Sequence, residues 1–177
     1  MDNKTTEQSL WGLLEGITEN LKYKRLADVF RFVSFQPFET FGPHQHLRIE
    51  INYVKKGNCI LHLENESISF NENEMMIICS NVEHTFEAGS EGTTLMQLEF
   101  LPEIFSRFNP HAQDETGELT PVTIFSEENR LIKIVNNVRI MRAVQRIVNE
   151  MNLKNKYYQY LVVMYYAELL ILIYRYM

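Results

Sequence analysis

The sequence predicts a mainly β domain followed by two α-helices, and three observations carry that prediction. Between residues 28 and 100, short runs rich in β-branched and aromatic residues recur: "DVFRFVSF", "IEINYV", "CILHL", "SISF", "MMIICS" and "TTLMQLEF". Polar, turn-forming stretches separate them, "KKGN", "ENE", "NENE" and "AGSEG". After about residue 126, apolar residues recur instead at steps of three and four. Strands first and helices last fit an all-β sandwich or barrel with a helical end, and not an alternating βαβ chain.

The elements follow in order. Residues 6–20 carry Leu10, Leu13, Leu14 and Ile17 at helical spacing and read as a short amphipathic helix or arm. The strand runs come next. "KKGN" and "NENE" read as hairpin turns, with Gly57 supplying a positive φ. "LPEIFSRFNPHAQDETGELTP", residues 101–121, breaks the pattern with Pro102, Pro110 and Pro121 and reads as a connector. Ser126 is a fair N-cap for a helix, with Glu127 and Glu128 in its first turn. Leu131, Ile134, Val138, Met141, Val144, Val148 and Met151 then mark its apolar face. "NLKNK" links it to a second helix running from about 157 to the last residue. This divides the chain into an arm (1–25), a β-barrel (26–125) and a helical segment (126–177).

Length and composition allow one domain with its own core: 177 residues, 45% hydrophobic and 12% aromatic. The net charge is −6. Residues 61–120 hold twelve acids and one base, Arg107. Such a segment is a poor surface for nucleic acid, which is bound by neutralising phosphates. The opening "MDNKTTEQSL" has no apolar run behind a basic patch, so no secretion signal is expected. The two cysteines, Cys59 and Cys79, then read as free, buried thiols in a reducing cytoplasm. "YYQYLVVMYYAELLILIY" (157–174) is largely apolar, but Gln159 and Glu168 interrupt it. It reads as a buried or subunit-interface helix, since a mid-membrane acid is costly. The chain stops at "LLILIYRYM" without cap, glycine or polar tail, which points either to a chain cut short or to a helix that needs a partner.

The chemistry gathers in "HQHLRIE", residues 44–50. On a strand His44 and His46 share a face and can point at one ion. Glu50 lies four residues beyond His46, about 13 Å along a straight strand, so it joins them only if the chain bends. His84, in "SNVEHTF", offers a third imidazole. Three histidines and a carboxylate suit zinc, nickel, copper, manganese or iron. The same residues also suit a pocket for a polar organic ligand, and the sequence leaves both open. A sugar pocket would use an aromatic face, for which Phe32, Phe35, Phe38, Phe41 and Phe86 are available, Phe35 and Phe86 being placed in it. His62 alternates with Leu61 and Leu63 and reads as facing the other way. His111 reads as solvent exposed.

"HQHLRIEINYVKKG" resembles the first cupin motif, HxH, three residues, Glu, six residues, Gly, at His44, His46, Glu50 and Gly57. "NEMMIICSNVEH" resembles the second motif and carries His84. It departs from it where Asn73 replaces the usual glycine, Cys79 or Ser80 the proline, and Asn81 the second glycine. The resemblance implies a cupin-type double-stranded β-helix, a jelly-roll barrel, with a tight bend at residues 47–49. Followed by Phe100, Pro102 and Glu103 in an F-x-P-E segment and then two helices, it resembles the N-terminal half of AraC-type transcription regulators over residues 28–177.

That resemblance implies a domain that senses a small molecule, a sugar among the options, and dimerises through its helices. Leu161, Met164, Leu170 and Ile171 are the residues placed at the homodimer contact. DNA would be read by a C-terminal helix-turn-helix domain that is not in this chain. The alternative is a metal-dependent cupin enzyme of dioxygenase, isomerase or decarboxylase type. The helices have no evident catalytic purpose, so the reading is a regulator and not an enzyme.

Overall fold

The computed structural model describes residues 29–101 and 130–177. The arm expected at 6–20, the F-x-P-E residues Pro102 and Glu103, His111 and the Ser126 cap lie outside them. Among the described residues, seven antiparallel strands form one continuous sheet: β1 Val29–Phe35, β2 Thr40–His44, β3 Ile49–His62, β4 Ser67–Asn71, β5 Met75–Ile78, β6 His84–Phe100 and β7 Leu131–Ile134. Two helices follow, α1 Val138–Leu153 and α2 Tyr158–Tyr176.

The ribbon of β3 and β6 organises the sheet. Its near half pairs Ile49 with Phe100 through Val54 with Leu95, flanked by β1 on one side and β5 and β7 on the other. Its far half pairs Cys59 with Ala88 through His62 with Thr85, flanked by β2 and β4. Between the halves the register shifts twice, around residues 54–59. Here "KKGN" and "AGSEG" depart from the sequence expectation: neither is a hairpin turn, and both strands run straight through them. Gly57 supplies its positive φ, +80°, to a bulge instead of a turn. A Cβ on Gly57 would come within 2.1 Å of the Gly92 carbonyl oxygen, so the two paired strands approach there with no room for a side chain. "NENE" does turn the chain, with Asn73 at φ +70° and the Glu74 N–H donating to the Asn71 carbonyl. The bend folds the two halves of the ribbon over a shared interior, which is the jelly-roll expected.

The near half has no solvent face. Residues 49–54 are all buried, because the sheet is covered twice. Glu50 and Asn52 line the interior of the barrel. Ile51 and Tyr53 alternate with them and turn to the helices, where Tyr53 Oη donates to Asn73 Oδ1 (2.6 Å) and to Met141 Sδ (3.0 Å). On β6, Gln97 and Glu99 line the interior while Phe100 meets Tyr166 of α2 edge to face. Cys59 and Cys79 are both buried and form no disulfide, and burial pushes each thiol up to about 12.

The helical segment corrects one expectation. The spacing of Leu131, Ile134 and Val138 predicted a helix from residue 126, but residues 131–134 are β7, pairing Ile132 with Ile77. A short apolar run fits either period, and the alternating burial of "LIKI" along the edge of β5 decides for the strand. Asn136 at φ +54° ends it. Asn137 then caps α1, its side chain accepting from the Ile140 N–H. Ile140, Ala143, Val144, Ile147 and Val148 form the buried stripe of α1. Arg139, Arg142 and Arg146 face solvent, and Arg146 pairs with Glu168 of α2 at 2.9 Å. Among the described residues no helix is long and apolar enough to cross a membrane.

Replacing Gly57 by alanine should cost about 1–3 kcal/mol, from the positive φ and the clash with Gly92 together. Chemical denaturation of the two proteins measures it, and an unchanged midpoint would refute the account of the bend.

Candidate functional site

Four elements bring His44, His46, Glu50 and His84 to one end of the barrel interior, with one donor atom of each within 4.8 Å of every other. The 13 Å problem is solved by a bend. β2 ends at His44 and β3 begins at Ile49, and the turn between them returns Glu50 Oε2 to 2.9 Å from His46 Nε2. Three hydrogen bonds fix that turn. Asn81 N–H donates to the His46 carbonyl (2.8 Å), Ser80 Oγ donates to the Leu47 carbonyl (2.8 Å), and His46 Nδ1–H donates to the Arg48 carbonyl (2.8 Å). So Ser80 and Asn81, which depart from the second cupin motif, still hold the first one in place.

β2 is re-aimed just before its end. Its pairing with β6 shifts between Phe41 and His44. Gly42 has φ +118°, and a Cβ there would lie 2.7 Å from the His84 carbonyl oxygen. Bulges of this kind turn a side chain toward a site. Here the bulge sets the His44 ring 4.2 Å from the His84 ring.

The cluster is wired from behind. His84 Nδ1–H donates to the Val82 carbonyl at 2.8 Å, so Nε2 carries the lone pair. That Nε2 is buried and has no hydrogen-bond partner among the described residues, and the same holds for His44 Nδ1. Glu50 Oε1 is occupied: Asn52 Nδ2 donates to it at 2.5 Å and Gln97 Nε2 at 2.6 Å. Arg31 Nε donates to Gln97 Oε1 at 2.5 Å, which fixes the orientation of that amide. Only Oε2 of Glu50 is left to face the imidazoles.

Charge follows from this wiring. Desolvation alone would raise the Glu50 carboxyl. The hydrogen bonds from His46, Asn52 and Gln97, with His84 beside them, overcome it and bring it to about 2. His46 is raised, chiefly by its bond to Glu50, because both its ring nitrogens face oxygen acceptors. His44 is lowered by burial first and then by the neighbouring His84. Glu99 is raised by burial and by the Glu50 charge, with Arg31 and Arg48 each at 3.7 Å.

The cluster closes one end of a cavity of about 280 Å³. Phe35 and Phe86 line it, as placed from the sequence, with ring centroids 4.5 Å apart. Phe41 lines it too and packs on His44, whereas Phe32 and Phe38 are exposed and away from it. Val33, Leu61, Ile78 and Leu95 complete the apolar wall. His62 points elsewhere, to Ser67 Oγ and Glu87. Sequence reasoning missed Arg31, Asn52, Gln97 and Glu99. The signal was available in the period-two alternation: Asn52 shares a face with Glu50, and its cross-strand partner is Gln97.

An antiparallel jelly-roll with a buried histidine–carboxylate cluster, covered by two helices, defines a cupin-type binding domain. The model of the AraC-like ligand binding domain matches residues 29–160, and the chain belongs to that family. No curated protein sequence matches the chain. Among solved structures, it is similar to apo ToxT from Vibrio cholerae, with 11% identity and a TM-score of 0.61 over 81% of this chain and 54% of that one. It is also similar to wild-type ToxT bound to an unsaturated fatty acid, with 13% identity and a TM-score of 0.56, covering 80% of this chain and 52% of that one. A third, ToxT bound to (E)-4-(8-methylnaphthalen-1-yl)but-3-enoic acid, shows 15% identity and a TM-score of 0.52 over 77% and 53% of the two chains. The chain thus spans about half the length of these proteins.

Glu50 is stabilised as the carboxylate, so in metal-free protein its contribution is complete above pH 4.5 and is lost as the pH falls toward about 2. His46 acts in the opposite sense, contributing below 6.5 and fading as the pH rises through its raised value. Glu50→Gln should therefore melt lower than wild type at neutral pH and lose less on acidification between pH 4.5 and 2. Parallel acid limbs in the two melting profiles would contradict this.

Proposed function

We propose that this chain is the effector-sensing domain of a cytoplasmic AraC-type transcription regulator. It takes a small molecule in the barrel, a sugar among the classes that fit, and holds one divalent transition metal at His44, His46, Glu50 and His84. Its output passes to a DNA-binding domain outside this chain. The observation that carries the reading is the cavity closed at one end by four converging donors, in a chain that belongs to the AraC-like ligand-binding family. ToxT solved with a fatty acid supports occupancy of such a barrel by a small organic molecule.

The residues fit an ion. His84 Nε2 and His44 Nδ1 are buried ring nitrogens without a hydrogen-bond partner among the described residues, a costly state that a cation would relieve. The carbonyl behind His84 Nδ1 fixes the ring in the ligating tautomer. Three nitrogens and one carboxylate oxygen suit zinc, nickel, manganese or iron. A bound ion would supply positive charge and open positions toward the cavity. Family membership favours sensing over turnover. Steady turnover of a small substrate by the isolated chain would instead support the metal-dependent enzyme reading.

Elemental analysis of untagged protein should find about one transition metal per chain. His84→Ala should weaken zinc binding at least about tenfold in calorimetry. A chain that takes up no ion from zinc, nickel, manganese or iron sinks the metal centre and leaves the organic effector.

The dimer belongs to this proposal. Leu161, Met164 and Ile171 are exposed along one face of α2, Met164 by 52%. Leu170 is only 5% exposed and packs in the chain's own core, so it tests folding and not association. Met164→Asp should turn a dimer into a monomer in light scattering while the chain keeps its folded circular dichroism spectrum. A wild-type chain that is monomeric at high concentration would remove the dimer.

A further inference from the structure

One buried polar atom at the cavity is explained neither by the cluster nor by an ion in it. Asn52 is 2% exposed and lines the cavity, and its Oδ1 has no hydrogen-bond partner among the described residues. The amide cannot be turned over to cure this. Its Nδ2 donates to Glu50 Oε1, and a flip would set a carbonyl against an ionised carboxylate. The neighbouring amide of Gln97 is locked in the same way, between Arg31 Nε and Glu50 Oε1. An ion held by the three imidazoles and Glu50 Oε2 would satisfy His44 and His84 and leave Asn52 Oδ1 bare. A buried carbonyl without a donor is costly, and such groups mark a partner that is missing.

We infer that Asn52 reads a hydroxyl group on the effector. The donor is neutral, because a second cation beside a metal-loaded cluster in so small a space would be repelled. The walls of the cavity shape the rest. Phe35, Phe86 and Leu61 require one apolar face on the effector. The class is a hydroxylated molecule with an apolar side. This rests on the cavity being the effector site, and the neutrality of the donor rests also on the metal being bound.

The test compares probes of equal shape: phenol against toluene, and benzyl alcohol against ethylbenzene, each titrated into the full chain with and without zinc. In at least one pair the hydroxylated member should bind about tenfold or more tightly, the scale of leaving a buried acceptor unpaired. Asn52→Leu should erase or reverse that preference while still binding the hydrocarbon. Nuclear Overhauser contacts to the Leu61 and Leu95 methyls locate the probe in the cavity. Equal affinities there, or no binding by either hydroxylated probe at millimolar concentration, overturn the hydroxyl inference and leave the sensor reading standing. Contacts elsewhere on the surface overturn both. A hydroxyl preference in a chain that takes up no zinc upholds the inference and removes only the metal.

Discussion

A carboxylate taken out of water is the constraint around which this domain is arranged. Glu50 is 5% exposed, and an isolated buried charge costs several kcal/mol. The fold meets that cost with donors from three directions: His46 on one oxygen, Asn52 and Gln97 on the other. Arg31 in turn aligns Gln97. Asn52 shares β3 with Glu50, His46 sits in the turn before it, Gln97 lies on β6 and Arg31 on β1, so the bend after His44, the register of β3 on β6 and the placement of β1 all meet at Glu50. The result is a charged group held ionised, with one oxygen saturated and the other turned to the histidines.

The same arrangement explains why the interior is so uneven. One end of the cavity carries nearly all of its polarity, and the remainder is aliphatic and aromatic. The bend of the β3–β6 ribbon at Gly57 and Gly92 produces this asymmetry, because it closes the far half, with Leu61 and Phe86, over the near half, with Glu50, Asn52 and Gln97. A molecule bound there meets a polar end and an apolar body, which is how small-molecule pockets fix orientation.

Much of this was legible in the sequence. The strand runs, the order of strands before helices and the His44, His46, Glu50, His84 set all appear in the fold as read, and "HQHLRIE" bends where the cupin resemblance required. What misled was local. "KKGN" has the composition of a turn, but Gly57 serves a bulge, because only the close approach of Gly92 reveals the need for glycine there. "LIKI" has spacings that suit either period, and the free edge of β5 makes it a strand. Asn52, Gln97 and Arg31 look like ordinary strand polar residues until the register sets them around one carboxylate. Local chemistry was readable, and pairing across long sequence separations was not.

The double cover of β3 has a mechanical consequence. Glu50 and Asn52 touch whatever occupies the barrel, and Ile51 and Tyr53, on alternate positions of the same strand, turn toward the helices. The barrel interior and the helix-facing side are therefore separated by the thickness of one backbone and no intervening layer. A strand packed on both sides has no solvent into which a displacement can relax. A displacement on the side of the barrel interior therefore meets packed side chains of the helices directly, with no solvent gap to absorb it.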